Sequence, residues 1–223
     1  MNIAKIKTST AAWIIGGLLL GAIGSFYFVD EASAAWMRRD FLPGDAKAVF
    51  EYISIFGHGT GCLIAVLLIF ALDPVRRSGI KFVLGASILT GVIATVMKVM
   101  IHRNRPYYLV AETGDQSLSE AVFNNATQSF PSGHTAAAFA LAVALSVLYP
   151  RGAKVFFAFA VVTGLQRVFA QAHYPSDVFA GALIGLVTSW CVLKLAQRSK
   201  QLELVIFNGD SSESEKELLK KCA

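Results

Sequence analysis

The sequence predicts an all-α integral membrane bundle of six transmembrane helices, and three observations predict it. Hydrophobic residues make up 55% of the 223-residue chain and charged ones 16%, against about a quarter charged in a soluble domain. Mean hydropathy is +0.55. The apolar residues fall in blocks near the ~20 residues that a membrane-crossing helix needs. The blocks are apolar on every side, without the alternation of a half-buried strand.

The first block covers about 11–29. Lys5 and Lys7 before it and Ala32-Ser33-Ala34 after it have the outline of a signal peptide, but the run is longer than a usual h-region, which favours a retained helix. Residues 30–51 mix charges with Trp36, Phe41 and Phe50; this segment reads as an interfacial amphipathic piece or a polar loop. The second block covers 52–72, the third 80–101 and the fourth 133–148, which is short and stopped by Pro150. The fifth covers 153–172 and the sixth 178–196. Gly181-xxx-Gly185 suits close helix packing, but the motif is common in membrane helices and carries little weight alone. Residues 1–200 thus form one membrane domain. In the tail, 201–223, an apolar patch from Leu202 to Phe207 gives way to a charged end expected to be partly disordered.

The formal net charge of +5 does not indicate nucleic-acid binding, because the basic residues are scattered among the block ends. Those ends set orientation. With a cytoplasmic N-terminus, the inside segments hold Lys5, Lys7, Arg76, Arg77, Lys81, Arg151, Lys154, Lys194, Arg198 and Lys200. The outside segments hold fewer: Arg38, Arg39, Lys47, Arg103 and Arg105. Both termini are therefore expected inside. Cys62 and Cys191 lie in apolar blocks as small hydrophobes, and Cys222 is too near the terminus for a prenylation box. No metal-ligand spacing occurs, so neither metal nor cofactor is expected.

The chain is organised around Gln128-Ser129-Phe130-Pro131-Ser132-Gly133-His134-Thr135. Pro131 ends an extended stretch, Ser132 is a good N-cap, and Gly133 allows close backbone approach. The N–H groups and positive end of the helix that follows favour phosphate. The parity of the crossings then brings further groups to the same face. The third helix runs outward to Lys98, His102, Arg103 and Arg105. The fifth ends near Arg167 and His173, and the sixth opens with Asp177 in its first turn. Ionisable groups at the edges of apolar helices are costly and usually functional. Three cations converging on a helix N-terminus describe a site for a doubly charged anion, and the arginine fork suits phosphate. Asp177, four residues after His173, reads either as a dipole-stabilising carboxylate at a helix start or as an acceptor for one His173 ring nitrogen, which would leave the other free to attack. A protonated His134 is able to protonate a leaving oxygen. His58 reads as an ordinary packed or interfacial residue, and Arg103 has no assigned role.

Lys98-x6-Arg105-Pro106, Pro131-Ser132-Gly133-His134 and Arg167-x5-His173-x3-Asp177 resemble the three signature motifs of the type 2 phosphatidic acid phosphatase (PAP2) family, which includes glucose-6-phosphatase and the vanadium haloperoxidases. The resemblance runs from the third helix to the sixth. It implies that Lys98, Arg105 and Arg167 hold phosphate oxygens and that Ser132 and the Gly133 N–H complete the cradle. It further implies a phosphohistidine on His173, oriented by Asp177, with His134 as general acid and no metal. In one departure, Gln166 stands where the family usually has serine before the arginine, which bears on the pocket and on substrate preference. The expected activity is hydrolysis of a membrane lipid phosphate or diphosphate at the extracytoplasmic face of a bacterial inner membrane. Undecaprenyl diphosphate, phosphatidylglycerol phosphate, phosphatidic acid and a lipid A phosphate all remain candidates. The alternatives are a non-hydrolytic binder or transporter of anionic lipid, which the filled catalytic positions argue against, and a haloperoxidase, whose relatives are soluble.

Overall fold

The computed structural model describes residues 8–37, 43–106 and 128–198. Expectations resting on Lys5, Lys7, Arg38, Arg39, Phe41, the segment 107–127, Lys200 and the tail 201–223 lie outside the described residues. Within them the chain is helical: α1 (Thr8–Phe28), α2 (Asp30–Met37), α3 (Gly44–Ser54), α4 (Gly59–Leu72), α5 (Ile80–Met100), α6 (Gly133–Leu148), α7 (Ala153–Phe169) and α8 (Pro175–Arg198). Short 3-10 turns at Ile55–Gly57, Pro74–Gly79 and Pro150–Gly152 join consecutive helices. No named strand occurs among the described residues; one isolated bridge pairs Arg103 with Gln128.

Among the described residues, four helical stretches are long and apolar enough to cross a membrane: Ser9–Phe28, Pro74–Met100, Pro150–Phe169 and Pro175–Ala196. A fifth candidate is α3 with α4, bent by 66° at the break between Gly57 and Gly59. The second apolar block, expected as one helix over 52–72, is thus divided by the turn Ile55–Gly57, and the segment before it forms α2 and α3. The protein is an integral membrane protein. The sixteen residues of α6 rise ~24 Å at 1.5 Å each, short of a ~30 Å hydrocarbon core.

That shortness fits where α6 sits. It is the central helix, buried from Thr135 to Leu148 along most of its length, with α5, α7 and α8 packed around it. Leu141, Ala144 and Leu145 of α6 share one apolar cluster with Ile69 of α4, Phe82 and Val83 of α5 and Leu193 of α8. A helix walled by other helices need not match the lipid. Its alanines (136, 138, 140, 142 and 144 are all buried) let the neighbours approach closely. On the α8 side, a Cβ on Gly181 would meet the Ser132 carbonyl oxygen at 2.5 Å, and one on Gly185 would collide with the Ala136 carbonyl. The small-residue pair is therefore the contact at which α8 crosses α6. Outside this core, α1 lies along α8, where a Cβ on Gly21 would lie 3.1 Å from the Phe179 ring. Much of its surface is exposed apolar side chain, including Trp13, Leu20 and Phe28.

Candidate active site

Backbone hydrogen bonds stitch the three motifs together at one end of the bundle. After α5 the chain runs on past Arg103, whose carbonyl accepts from Ser129 N–H at 2.8 Å. Lys98 Nζ donates to the Gln128 carbonyl at 2.7 Å. Ser132 N–H donates to the Asp177 carbonyl at 3.0 Å, joining the start of α6 to the start of α8. At the end of α7, Gln171 takes φ 54, and Ala172 and His173 N–H both donate to the Arg167 carbonyl at 3.1 and 3.2 Å. This tight reversal turns His173 back into the protein, where it is 2% exposed.

Ser132 caps α6, its hydroxyl accepting from Thr135 N–H at 3.4 Å and pairing with Thr135 Oγ1 at 2.8 Å. The residue is fully buried, so its hydroxyl is engaged in the cap. The Gly133 and His134 N–H groups, in the first turn, have no intrahelical carbonyl to meet. Lys98 Cε lies beside Gly133, and the Lys98 ammonium is near enough to Arg105, Arg167 and Asp177 to feel their charges. Arg105 Nε and Arg167 Nε are buried without a hydrogen-bond partner. So is the Oε1 of Gln166, one of the residues lining a cavity of about 1110 Å³ with Lys47, Glu51, His58, His134 and Arg167. Two buried guanidinium N–H groups without acceptors are expensive to keep and suit an anion such as phosphate, which takes several charge-assisted bonds at once.

His173 Nδ1 is 3.6 Å from Asp177 Oδ2, too long for a hydrogen bond, and is itself buried and unpartnered. Burial lowers the His173 pKa to about 4, with Asp177 pulling the other way, so the ring is neutral at neutral pH. The Asp177 carboxylate accepts three hydrogen bonds. Oδ2 accepts from Ser129 Oγ at 2.5 Å and from Tyr174 N–H at 2.9 Å, and Oδ1 accepts from Arg103 Nη1 at 2.5 Å.

All eight residues singled out in the sequence, Lys98, Arg105, Ser132, Gly133, His134, Arg167, His173 and Asp177, thus lie in this one region. The sequence reading missed two others. Arg103 was without a role, and Asp30 was one charge among several in a presumed surface segment. Asp30 is 2% exposed, and its carboxylate takes Arg103 Nη2 at 2.6 Å. The available signals were weak: a lone acid directly after an apolar block, and a second arginine two residues before Arg105. His58, expected as a packed or interfacial residue, has its ring packed edge-on against that of His134.

This is a site of cations and paired histidines at a helix N-terminus, at one end of a membrane-protein bundle, and its family is shown by comparison. The chain belongs to the PAP2 superfamily, whose family model matches residues 80–201. It is 38% identical over 98 residues to a lipid A 1-phosphatase of Rhizobium johnstonii, a match covering 44% of this chain and 40% of that protein. The chain thus spans about two fifths of that relative's length. Among solved structures it resembles Aquifex aeolicus LpxE, with a TM-score of 0.60 at 24% identity over 87% of this chain and 99% of that one. It also resembles a PAP2-type phosphatidylglycerolphosphate phosphatase of Bacillus subtilis, with a TM-score of 0.62 at 20% identity over 84% and 96% of the two chains. At these identities the structural likeness speaks for the fold.

Proposed function

We propose that the protein hydrolyses a membrane lipid phosphate or diphosphate without a metal ion, at the extracytoplasmic face of a bacterial inner membrane. The observation that carries this is the set of buried, unpartnered donors, Arg105 Nε and Arg167 Nε, beside a buried neutral His173. Lys98, Arg105 and Arg167, with the Gly133 N–H, hold the phosphate oxygens. Ser132 fixes the start of α6 through its cap. His173 Nε2 attacks phosphorus while His134 gives its proton to the departing lipid oxygen. His134 then takes a proton from water, which attacks the phosphohistidine and releases phosphate. Asp177 orients His173. The positive charge that a metal supplies elsewhere comes here from side chains and backbone dipoles.

A lipid substrate is supported by a second opening. An apolar cavity of about 630 Å³ lies between α1, α7 and α8, lined by Ile15, Leu18, Val161, Leu165 and Leu186 among others, and Phe169 lines both it and the polar cavity. A phosphate head in the polar cavity and a hydrocarbon tail in the apolar one use the two compartments together. The six-crossing reading counts α6 as the short, enclosed crossing, with 1–200 as a single membrane domain and 201–223 as a cytoplasmic tail. Phosphate release from purified protein, with phosphatidic acid, phosphatidylglycerol phosphate, undecaprenyl diphosphate and lipid A phosphate in the presence of chelator, tests the reading. Release from at least one is expected. Binding of these lipids with no release would make the pocket a lipid-anion binding site, and activity lost to chelator would overturn the metal-free cradle.

A further inference from the structure

Arg103 stands between two buried carboxylates. Nη2 meets Asp30 Oδ2 at 2.6 Å and Nη1 meets Asp177 Oδ1 at 2.5 Å. Ser176 ties the same three together, since its hydroxyl donates to Asp30 Oδ2 at 2.5 Å and accepts from Arg103 Nη1 at 2.7 Å. Its N–H donates to Asp30 Oδ1 at 3.1 Å. The guanidinium is stacked on the Tyr174 ring, 4.1 Å from its centroid, and faces Phe26 at 5.1 Å. Asp30 and Asp177 are 2% and 0% exposed. Asp30 begins α2, outside the residues that match the family model.

The charges decide what this cluster does. Paired with Arg103 alone, Asp177 would be neutralised and would have little left to hold the far nitrogen of His173. With Asp30 the three side chains carry two negative charges and one positive, and a net negative charge remains beside His173. We propose that Asp30 and Arg103 are positioning residues of the active site. Arg103 fixes the Asp177 carboxylate, and Asp30 shares the Arg103 charge so that Asp177 keeps its own for His173. The first helices thereby take part in the chemistry that the family motifs carry.

This inference rests on the phosphatase reading, and its test separates the two. Asp30→Asn keeps the size and one accepting oxygen but removes the charge. It should lower kcat about tenfold, roughly one hydrogen bond to a charged group, with KM little changed. Aryl and alkyl phosphates should be hit alike, because the attack of His173 is what suffers. The His173 ring is faced by Asp177 from α8, Lys98 from α5, Arg105 from the segment after α5 and His134 from α6. With Asp177 more neutralised, the acid limb of the pH–rate profile should move to lower pH, and Asp30→Glu should restore it. The double variant Asp30→Asn with Arg103→Gln removes the uncompensated positive charge together with the clamp, so it should be no worse than Arg103→Gln alone, a non-additivity expected only of coupled residues. Unchanged kcat in Asp30→Asn would overturn the proposal, as would a double variant worse than Arg103→Gln alone. Nitrogen-15 NMR titration of His173 in detergent tests the clamp without turnover. An unshifted His173 in Asp30→Asn would sink the clamp, whereas a shifted one in a protein that releases no phosphate would sink only the phosphatase reading.

Discussion

The His58 ring lies edge-on against the His134 ring, their centroids 4.2 Å apart and their planes at 72°. Gly57 makes this contact possible, because a Cβ there would collide with the His134 carbonyl and lie 2.7 Å from Thr163 Cγ2. The break between α3 and α4 therefore presses His58 onto the proposed general acid. His58→Ala removes that wall and should slow hydrolysis of an alkyl phosphate about three- to tenfold, the scale of one lost aromatic contact. His58→Phe should keep most of the rate. Steady-state kinetics of the two variants checks this, and equal losses would mean that the imidazole, not the ring contact, matters.

The roles proposed for His173 and His134 are separable by leaving group. His173→Ala should abolish turnover of every substrate, and with it any acid-labile, base-stable label from a phosphate-labelled substrate in a rapid quench. His134→Ala should cost about 10²–10⁴-fold on a lipid alkoxide, the usual contribution of a general acid. It should cost far less on an aryl phosphate, which departs without much protonation. Asp177→Asn should impair both substrates. Label found on His134, or an equal loss of both substrates in His134→Ala, would reverse the assignment.

The pH dependence of stability follows from His173. Its pKa falls from 6.5 to about 4 in the folded protein, through burial. Between those values the unfolded chain binds the proton and the folded one does not, so stability rises with pH across this window. The contribution is full above about pH 6.5 and is lost as the pH drops toward 4. Thermal unfolding in detergent should therefore weaken from pH 7 to pH 5 more steeply in the parent than in His173→Gln. Parallel curves would show that His173 does not titrate as a buried neutral ring.

How much of this was legible in the sequence differs by element. Apolar block length gave α5 and α6 to within a residue and α1 to within three, and motif spacing pointed to the eight candidate residues, because crossing parity fixes which face each helix end reaches. The kink at Ile55–Gly57 was not legible. Phe56-Gly57-His58-Gly59 lies inside a continuous apolar block, and only the tertiary approach of the His134 backbone calls for the break. Asp30 was hidden for a related reason. Its partner Arg103 is 73 residues away, and nothing local marks one acidic residue after an apolar run as buried. Gly181 and Gly185 were visible as a motif, but their weight came only from what they touch.

Those two glycines give the last prediction, because they touch different things. Both sit where α8 crosses α6, four residues apart on one helix face, and a methyl group at either one overpacks the crossing. On that ground alone, Gly181→Ala and Gly185→Ala should each cost about 1–3 kcal/mol of stability. Their effects on activity should part. The methyl at Gly185 meets the Ala136 carbonyl and Phe139 Cβ, the latter at 2.9 Å, one turn inside the helix and away from the proposed phosphate cradle. The methyl at Gly181 meets the Ser132 carbonyl oxygen at 2.5 Å and Thr135 Cβ at 3.2 Å, the cap whose N–H also bonds Asp177. Pushing Ser132 away tilts the first turn of α6, so the Gly133 N–H and His134 move relative to Arg167 and His173. Gly181→Ala should therefore raise KM and lower kcat in the folded fraction, whereas Gly185→Ala should lose melting temperature with near-parental kinetics per folded molecule. Melting curves and active-site titration on the same preparations separate the two. Kinetic losses of equal size in both variants would mean that the crossing acts on the site as a whole, not through the Ser132 cap.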